Sequence, residues 1–338
     1  MNESEAKQSV ADAGRLLLKE GLVARTWGNV SCRTGEQSFV ITPSGLAYEG
    51  MTAEDIVSFD MISGKWTGER KPSSEKGVHA AAYRQFPEAG FVIHTHQTYA
   101  SALGLSGFHD GLFAPAQTAA LGGIALAKYG LPGTKKLKSN VKAALATGAH
   151  VVLMAQHGAL IVGADRNEAF SRAILLETLC KSACRGQAQE DLRSDEAKAA
   201  ALKEFVSSEF GHVAISTAPV VVYTANYSNM FRAQLDDMAQ IIGPKLYCVD
   251  SDPDAVLKAL RRRSAVLVKG VGALCRADTR GDCEALSLLV EKACTGFLHT
   301  RALKAKADLS SFDALLMRMV YLMKYAKKAG AGYGKAAT

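Results

Sequence analysis

Phe91-Val92-Ile93-His94-Thr95-His96, and further on Val151-Val152-Leu153-Met154-Ala155-Gln156-His157-Gly158-Ala159-Leu160-Ile161, decide how the rest of this chain is read. The first is an apolar, β-branched run of strand length that ends on two histidines. Side chains alternate along a strand, so His94 and His96 fall on one face. The second holds a buried strand over 151–155. His157 follows it and precedes Gly158, which lets backbone approach closely, and 158–161 turns into a further strand. Two imidazoles on one face can share a cation. A third from another strand end gives three neutral donors and an open position, the pattern of a catalytic zinc site and not of a closed structural one. A cupin would want a glutamate soon after the pair and an all-β pattern. The HxHxDH hydrolases would want Asp and His where Gln97-Thr98-Tyr99 stand.

Outward from these strands, 4–22 reads as a helix ending at Gly21, with Leu16, Leu17, Leu18 and Leu22 as its apolar face. Strands at 28–33 and 38–42 form a hairpin turned at Gly35, and 55–60 with 65–67 form another around Ser63-Gly64. Ser73-Ser74-Glu75 opens a helix to Phe86, stopped by Pro87. Helices follow at 98–103 and 140–147, and Asp165 caps a long one to about 185. Hairpins alternating with helices in this order imply an α/β fold: a central, mainly antiparallel sheet covered by helices.

Ser-Ser-Glu has a plain reading, in which serines cap a helix and glutamate favours its first turn. The same geometry has a functional one. Helix N-terminal N–H groups and hydroxyls bind anions, and a glutamate beside a cation-held substrate can move a carbon-bound proton. Gly28-Asn29-Val30-Ser31 and Thr42-Pro43-Ser44-Gly45 are further polar turns. Together these offer several donors and no carboxylate, which suits a phosphate. His79, one helical turn after Glu75, is a candidate support for the site. His109, His150, His212 and His299 read as surface or core-edge residues.

At 338 residues the chain exceeds what one core fills efficiently, so two units are expected. Hydrophobic content of 48% and charged content of 22% are those of an ordinary globular protein. Seven cysteines, odd in number and without a CxxC pair, argue for reduced thiols and a cytoplasmic location. No signal-peptide pattern opens the chain, and no apolar run reaches the ~20 residues that span a bilayer. Net charge is +7, yet the basic clusters (Lys135-Lys136 with Lys138, and Arg261-Arg262-Arg263) are short, without interleaved aromatics, and read as solvated helix faces. No nucleic-acid or membrane partner is expected.

Residues 186–205 read as a polar connection, helical in part. Beyond it the chain echoes itself: 151–160 resembles 265–274, each followed by Ala-Asp and a helix with Glu-Ala, at a spacing of 114 residues in which His157 becomes Val271. Nothing there answers to the histidine pair or to Ser-Ser-Glu. The expectation is a catalytic domain over 1–190 and, over 191–338, a partial degenerate repeat of the same fold, ending in an amphipathic helix at 312–328 whose apolar stripe is core packing.

GNVS at 28–31, TPSG at 42–45, KPSSE at 71–75, HTH at 94–96 and QHGAL at 156–160 together resemble the class II aldolase/adducin family, over roughly residues 5–190. The resemblance implies a three-layer α/β/α fold, a divalent metal, most simply Zn2+, and a homo-oligomer, usually a C4 tetramer, with sites at subunit interfaces. His94, His96 and His157 would be the metal ligands, and Glu75 the catalytic proton-transfer residue. Asn29, Ser44, Gly45, Ser73 and Ser74 would hold a substrate phosphate. The implied activity is that of an aldehyde-lyase cleaving a ketose 1-phosphate, a small-molecule sugar phosphate, to dihydroxyacetone phosphate and an aldehyde. A sugar-phosphate epimerase or dehydratase on the same fold, and a non-catalytic adducin-like module, are the alternatives. One departure stands out: the family's second acid is a tyrosine from a neighbouring subunit, and the matching stretch here, 113–118, reads FAPAQT.

Overall fold

The structure is a computed structural model of the 338-residue chain and describes residues 1–108, 111–186 and 192–324. Two compact units divide it, Met1–Ala183 and Cys184–Thr338.

The first unit runs α1 (Glu3–Lys19), β1 (Asn29–Gly35), β2 (Ser38–Ile41), β3 (Val57–Asp60), β4 (Trp66–Thr67), α2 (Lys76–Gln85), β5 (Phe91–Thr95), α3 (Thr98–Ser106), α4 (Pro115–Ala120), β6 (Ile124–Ala127), α5 (Lys135–Leu145), β7 (Val151–Met154), β8 (Gly158–Gly163) and α6 (Arg166–Ala183). Its eight strands lie in the order β4-β3-β2-β1-β5-β8-β7-β6. Every neighbouring pair is antiparallel except β6 with β7. Alternation along the strands builds two apolar faces. Val30, Ile93, Leu153 and Ile161 pack with α1 and α6. Phe39, Val92, Val152, Leu160 and Val162 pack with α2 and α5. The result is the expected α/β/α sandwich, with the β1–β2 and β3–β4 hairpins where the turn residues put them.

The first helix is shorter than its apolar pattern suggests. Gly21, at φ +67°, follows it, and the Gly21 and Leu22 N–H groups bond back to the Leu18 and Leu17 carbonyls. This left-handed closure takes up carbonyls that the helix end would otherwise leave unpaired. The strand reading at 94–96 also runs one residue long, because β5 ends at Thr95 and His96 lies just beyond it.

Two anchors set where the site-bearing elements start. Arg33 on β1 donates to the carbonyls of Tyr83 (2.6 Å), Phe86 (3.1 Å) and Ala89 (2.7 Å), holding the far end of α2 at the sheet. Glu177 on α6 accepts the Tyr99 and Ala100 N–H groups at 2.9 and 3.0 Å, capping α3 just after the histidine pair.

The second unit comprises α7 (Glu196–Phe210), β9 (Val213–Ser216), α8 (Pro219–Tyr227), β10 (Met230–Arg232), α9 (Asp236–Ile241), β11 (Lys245–Val249), α10 (Pro253–Leu260), β12 (Ala265–Val268), β13 (Gly272–Arg276), α11 (Arg280–Ala302) and α12 (Ser311–Lys324). Its sheet order is β10-β11-β12-β13-β9. Of 186–205, read as a connection, the half from 196 to 205 is α7, the expected helical part, whose Ala199, Leu202 and Val206 are buried in one cluster with residues of β12 and β13; 187–191 lies outside the described residues. The stripe expected to be core on the last helix instead faces outward at Leu315, Met319, Leu322 and Met323, while Ala314 and Met317 are buried. Residues 325–328 of that reading lie outside the described residues.

Candidate metal centre

Backbone proximity brings the histidines together. β5 lies between β1 and β8, and glycine stands on each side of His94. A Cβ on Gly28 would sit 2.5 Å from the His94 carbonyl oxygen, and one on Gly158 would sit 2.2 Å from that of Thr95. Side chains at either position would push the strands apart. The turn that delivers His157 carries Gln156 in the left-handed region, at φ +63°, a conformation that costs a non-glycine residue energy.

The three imidazoles converge. His94 Nε2 lies 3.0 Å from His96 Nε2 and 3.0 Å from His157 Nε2. The three ligand nitrogens all fall within 4.8 Å of one another. Nitrogens about 2.0–2.1 Å from one ion sit roughly 3.0–3.4 Å apart for angles near 90–110°. His94 Nδ1 contacts the Ala159 carbonyl oxygen at 2.9 Å. A carbonyl only accepts, so Nδ1 carries the proton and Nε2 presents a bare lone pair. That lone pair faces two more ring nitrogens and Glu75 Oε2, at 3.0 Å; His157 Nε2 meets Glu75 Oε1 at 3.1 Å. With Nε2 of His96 and His157 also bare, as metal ligation requires, these acceptors would repel in a buried pocket, and a divalent cation would supply the positive charge that offsets this. The donor set fits a borderline-soft ion such as Zn2+.

Glu75 stands at the N-cap of α2 and is buried. Burial alone would push its carboxyl up. The adjacent His94 and His157 outweigh this and hold it well below the usual carboxylate range. Asn29 Nδ2 donates to Glu75 Oε2 at 3.2 Å. The buried Tyr48 hydroxyl bonds Thr42, and its pKa is raised, by burial first and by the Glu75 charge last.

The remaining candidates lie in two loops that are tied together. Ser44 N–H donates to the Lys71 carbonyl at 2.9 Å, Ser73 N–H to that of Thr42 at 3.1 Å, and Pro43 bridges Pro72. Ser73 Oγ accepts the Glu75 N–H at 3.2 Å. Ser74 and Gly45 are exposed and Ser44 is half-buried, beside the N-terminus of α2. Asn29, read with these donors from sequence, has its carboxamide between Glu75 and His79. His150, His212 and His299 lie outside the cluster, and His109 is outside the described residues.

Sequence reading missed Ser31, Tyr83 and Tyr48. For the first two a signal was present: Asn29 and Ser31 are two apart on a strand, and His79 and Tyr83 four apart on a helix. Those rises, about 6.6 and 6 Å, match.

Residues 8–184 match the profile described as Class II Aldolase and Adducin N-terminal domain. Among solved structures, a protein named L-fuculose 1-phosphate aldolase is 33% identical over 53% of this chain and 84% of its own, with a TM-score of 0.49. YgbL of Klebsiella pneumoniae, for which aldolase, epimerase or decarboxylase activity is suggested, is 25% identical over 54% and 89%, with a TM-score of 0.48. An L-fuculose-1-phosphate aldolase of Thermus thermophilus is 26% identical over 53% and 93%, with a TM-score of 0.44.

Proposed function

The chain belongs to the class II aldolase and adducin family, and from that premise we propose that it is a metal-dependent aldehyde-lyase. In this reading it cleaves a ketose 1-phosphate to dihydroxyacetone phosphate and an aldehyde. His94, His96 and His157 hold the metal and Glu75 transfers the proton. The observation that carries the reading is the meeting of three imidazole nitrogens and one buried carboxylate within about 3 Å contacts.

When bound, a divalent cation supplies Lewis acidity toward the substrate's carbonyl and neighbouring hydroxyl oxygens. The chain does the rest. The paired loops around Ser44-Gly45 and Ser73-Ser74, with the α2 N-terminus, bind the phosphate and orient the sugar. A carboxylate kept ionised can accept a proton from carbon in the condensation direction, and in cleavage the same oxygen of Glu75 returns it. Neutral imidazoles and a carboxylate in one pocket are a poor binding surface for a protein partner, which disfavours a purely adducin-like role. We place the enzyme in the cytoplasm as a homo-oligomer, with a small sugar phosphate as its partner and no nucleic acid or membrane. Among the described residues no helix is long and apolar enough to cross a membrane.

Glu75→Gln should retain its metal content and lose about 10²–10⁴-fold in turnover; unaltered turnover rejects the role. A second reading, epimerase or dehydratase, is favoured by one observation: α4 and the residues before it carry no tyrosine. Product mass separates the three. Cleavage gives two fragments, dehydration loses water, and epimerisation leaves mass unchanged.

We also read the second unit as a partial repeat of the first. The order helix, strand, helix, helix, strand, helix, strand, strand, helix from α2 to α6 recurs from α7 to α11, with β10 inserted. Both sheets contain one parallel pair in the matching place, β6 with β7 and β11 with β12. Gly272 lies against the Ser216 carbonyl as Gly158 lies against that of Thr95, where an added Cβ would meet oxygen at 2.1 and 2.2 Å.

A further inference from the structure

A line of buried hydrogen bonds runs from Glu75 into the interior of the first unit. Asn29 Nδ2 donates to Glu75 Oε2, and Asn29 Oδ1 meets His79 Nε2. His79 Nδ1 lies 2.7 Å from Ser31 Oγ, which lies 2.9 Å from the Tyr83 hydroxyl. Asn29, His79, Ser31 and Tyr83 are each at most 5% exposed.

The anionic end fixes every proton along this line. A carboxylate only accepts, so the Asn29 amide must turn its NH2 to Glu75 and its oxygen to His79. That oxygen requires a proton on His79 Nε2, which leaves Nδ1 bare. Nδ1 then takes the Ser31 hydroxyl proton, and Ser31 Oγ takes that of Tyr83. Each member has one allowed orientation, and reversing any of them sets two acceptors or two donors face to face among buried groups. The hydrogen-bonded path from His79 to Glu75 runs through Asn29.

We propose that His79 is a positioning residue of the proton-transfer step: it locks the Asn29 carboxamide so that its NH2 holds the Glu75 carboxylate in the orientation that reaches substrate carbon, with Ser31 and Tyr83 locking His79 in turn. The proposal rests on the reading of Glu75 as the proton-transfer residue. It assigns Asn29 to the carboxylate and leaves the phosphate to the paired loops. The second N–H of the same amide remains available to a substrate oxygen.

The test is a double-mutant cycle on metal-loaded full-length protein, assayed for cleavage of ketose 1-phosphates. His79→Leu and Asn29→Ala should each lower kcat about 10- to 100-fold, the worth of one hydrogen bond to a charged group. KM should stay within about twofold. The double variant should be no slower than Asn29→Ala alone, and His79→Gln, which keeps an N–H near the Nε2 position, should recover most of the loss. Additive losses, or a loss that appears mainly in KM, overturn the proposal. A second arm needs no turnover: ¹⁵N-histidine spectra, with the resonance assigned through His79→Gln, should show the Nε2–H tautomer of His79. The Nδ1–H tautomer overturns the proposal. A wild-type protein that turns over no ketose phosphate defeats the reading of the reaction, and the tautomer then judges the hydrogen-bonded line by itself.

Discussion

Gly158→Ala is the substitution that strains the metal centre without removing a ligand. Its Cβ would sit 2.2 Å from the Thr95 carbonyl oxygen and 3.3 Å from His94 Cε1. Real contacts of this kind rarely fall below 3.4 Å, so β5 and β8 must part by about 1 Å. The opening falls on the Thr95–Ala159 pair of the ladder and on the His94 Nδ1–Ala159 carbonyl bond. Two to three buried hydrogen bonds weaken at about 1 kcal/mol each, so the cost is about 2–4 kcal/mol. For a unit of this size that lowers Tm by about 5–15 °C. Displacing the partner that orients His94 should also weaken cation binding about 10–100-fold. Differential scanning calorimetry with and without zinc, together with competition for zinc against a chelator, measures both effects. Two controls separate packing from site. Gly50→Ala meets nothing within 4 Å and should stay within about 0.5 kcal/mol of wild type. Gly272→Ala should destabilise the second unit through its 2.1 Å approach to the Ser216 carbonyl and leave zinc affinity unchanged. A Gly158→Ala protein that melts within about 2 °C of wild type and binds zinc normally would refute the claim that backbone contact on both sides of His94 sets the ligand geometry.

Zinc at 100 times its Kd should stabilise the wild type by about 2.7 kcal/mol, a rise of about 5–11 °C in a unit of this size. His157→Ala should abolish most of it, as read by the melting shift on chelation. Burial lowers the His79 pKa from its ordinary 6.5 to about 3. The unfolded chain therefore binds one more proton than the folded one between those values. Stability from this residue is complete above pH 6.5 and is lost as pH falls toward 3, at about 1.4 kcal/mol per unit. His79→Gln should flatten urea-unfolding stability across that window by this slope; an unchanged slope would count against a neutral buried ring.

The continuous apolar runs of β5, β7 and β8 were legible because each strand is buried on both faces and bounded by turn residues. The three histidines stood at strand ends, where the residue types announce chemistry. Region 108–130 was not legible. Helix α4 is Pro-Ala-Gln-Thr-Ala-Ala and β6 is Ile-Ala-Leu-Ala, runs too short and too rich in small residues for either period to register. Helix α7 was legible only as a partly helical connection, because its buried face is carried by Ala199, Leu202 and Val206 among charges. The join between 42–45 and 71–74 could not be read either, since a bridge between two proline-containing loops leaves no periodic trace. Asn29 and His79 were each legible as candidate site residues, but not as partners, and only their spacing against Ser31 and Tyr83 marks them as one line.

The register of the second sheet has a stoichiometric consequence. Ser216 pairs with Ala273 as Thr95 pairs with Ala159, so Ile215 and Thr217 stand where the first sheet has His94 and His96, and Val271 stands at the turn that elsewhere bears His157. The three positions of the second sheet that match the histidine sites thus carry no imidazole, and zinc titration of the purified protein should fill the His94–His96–His157 cluster once per chain, with no matching set filled in the second sheet.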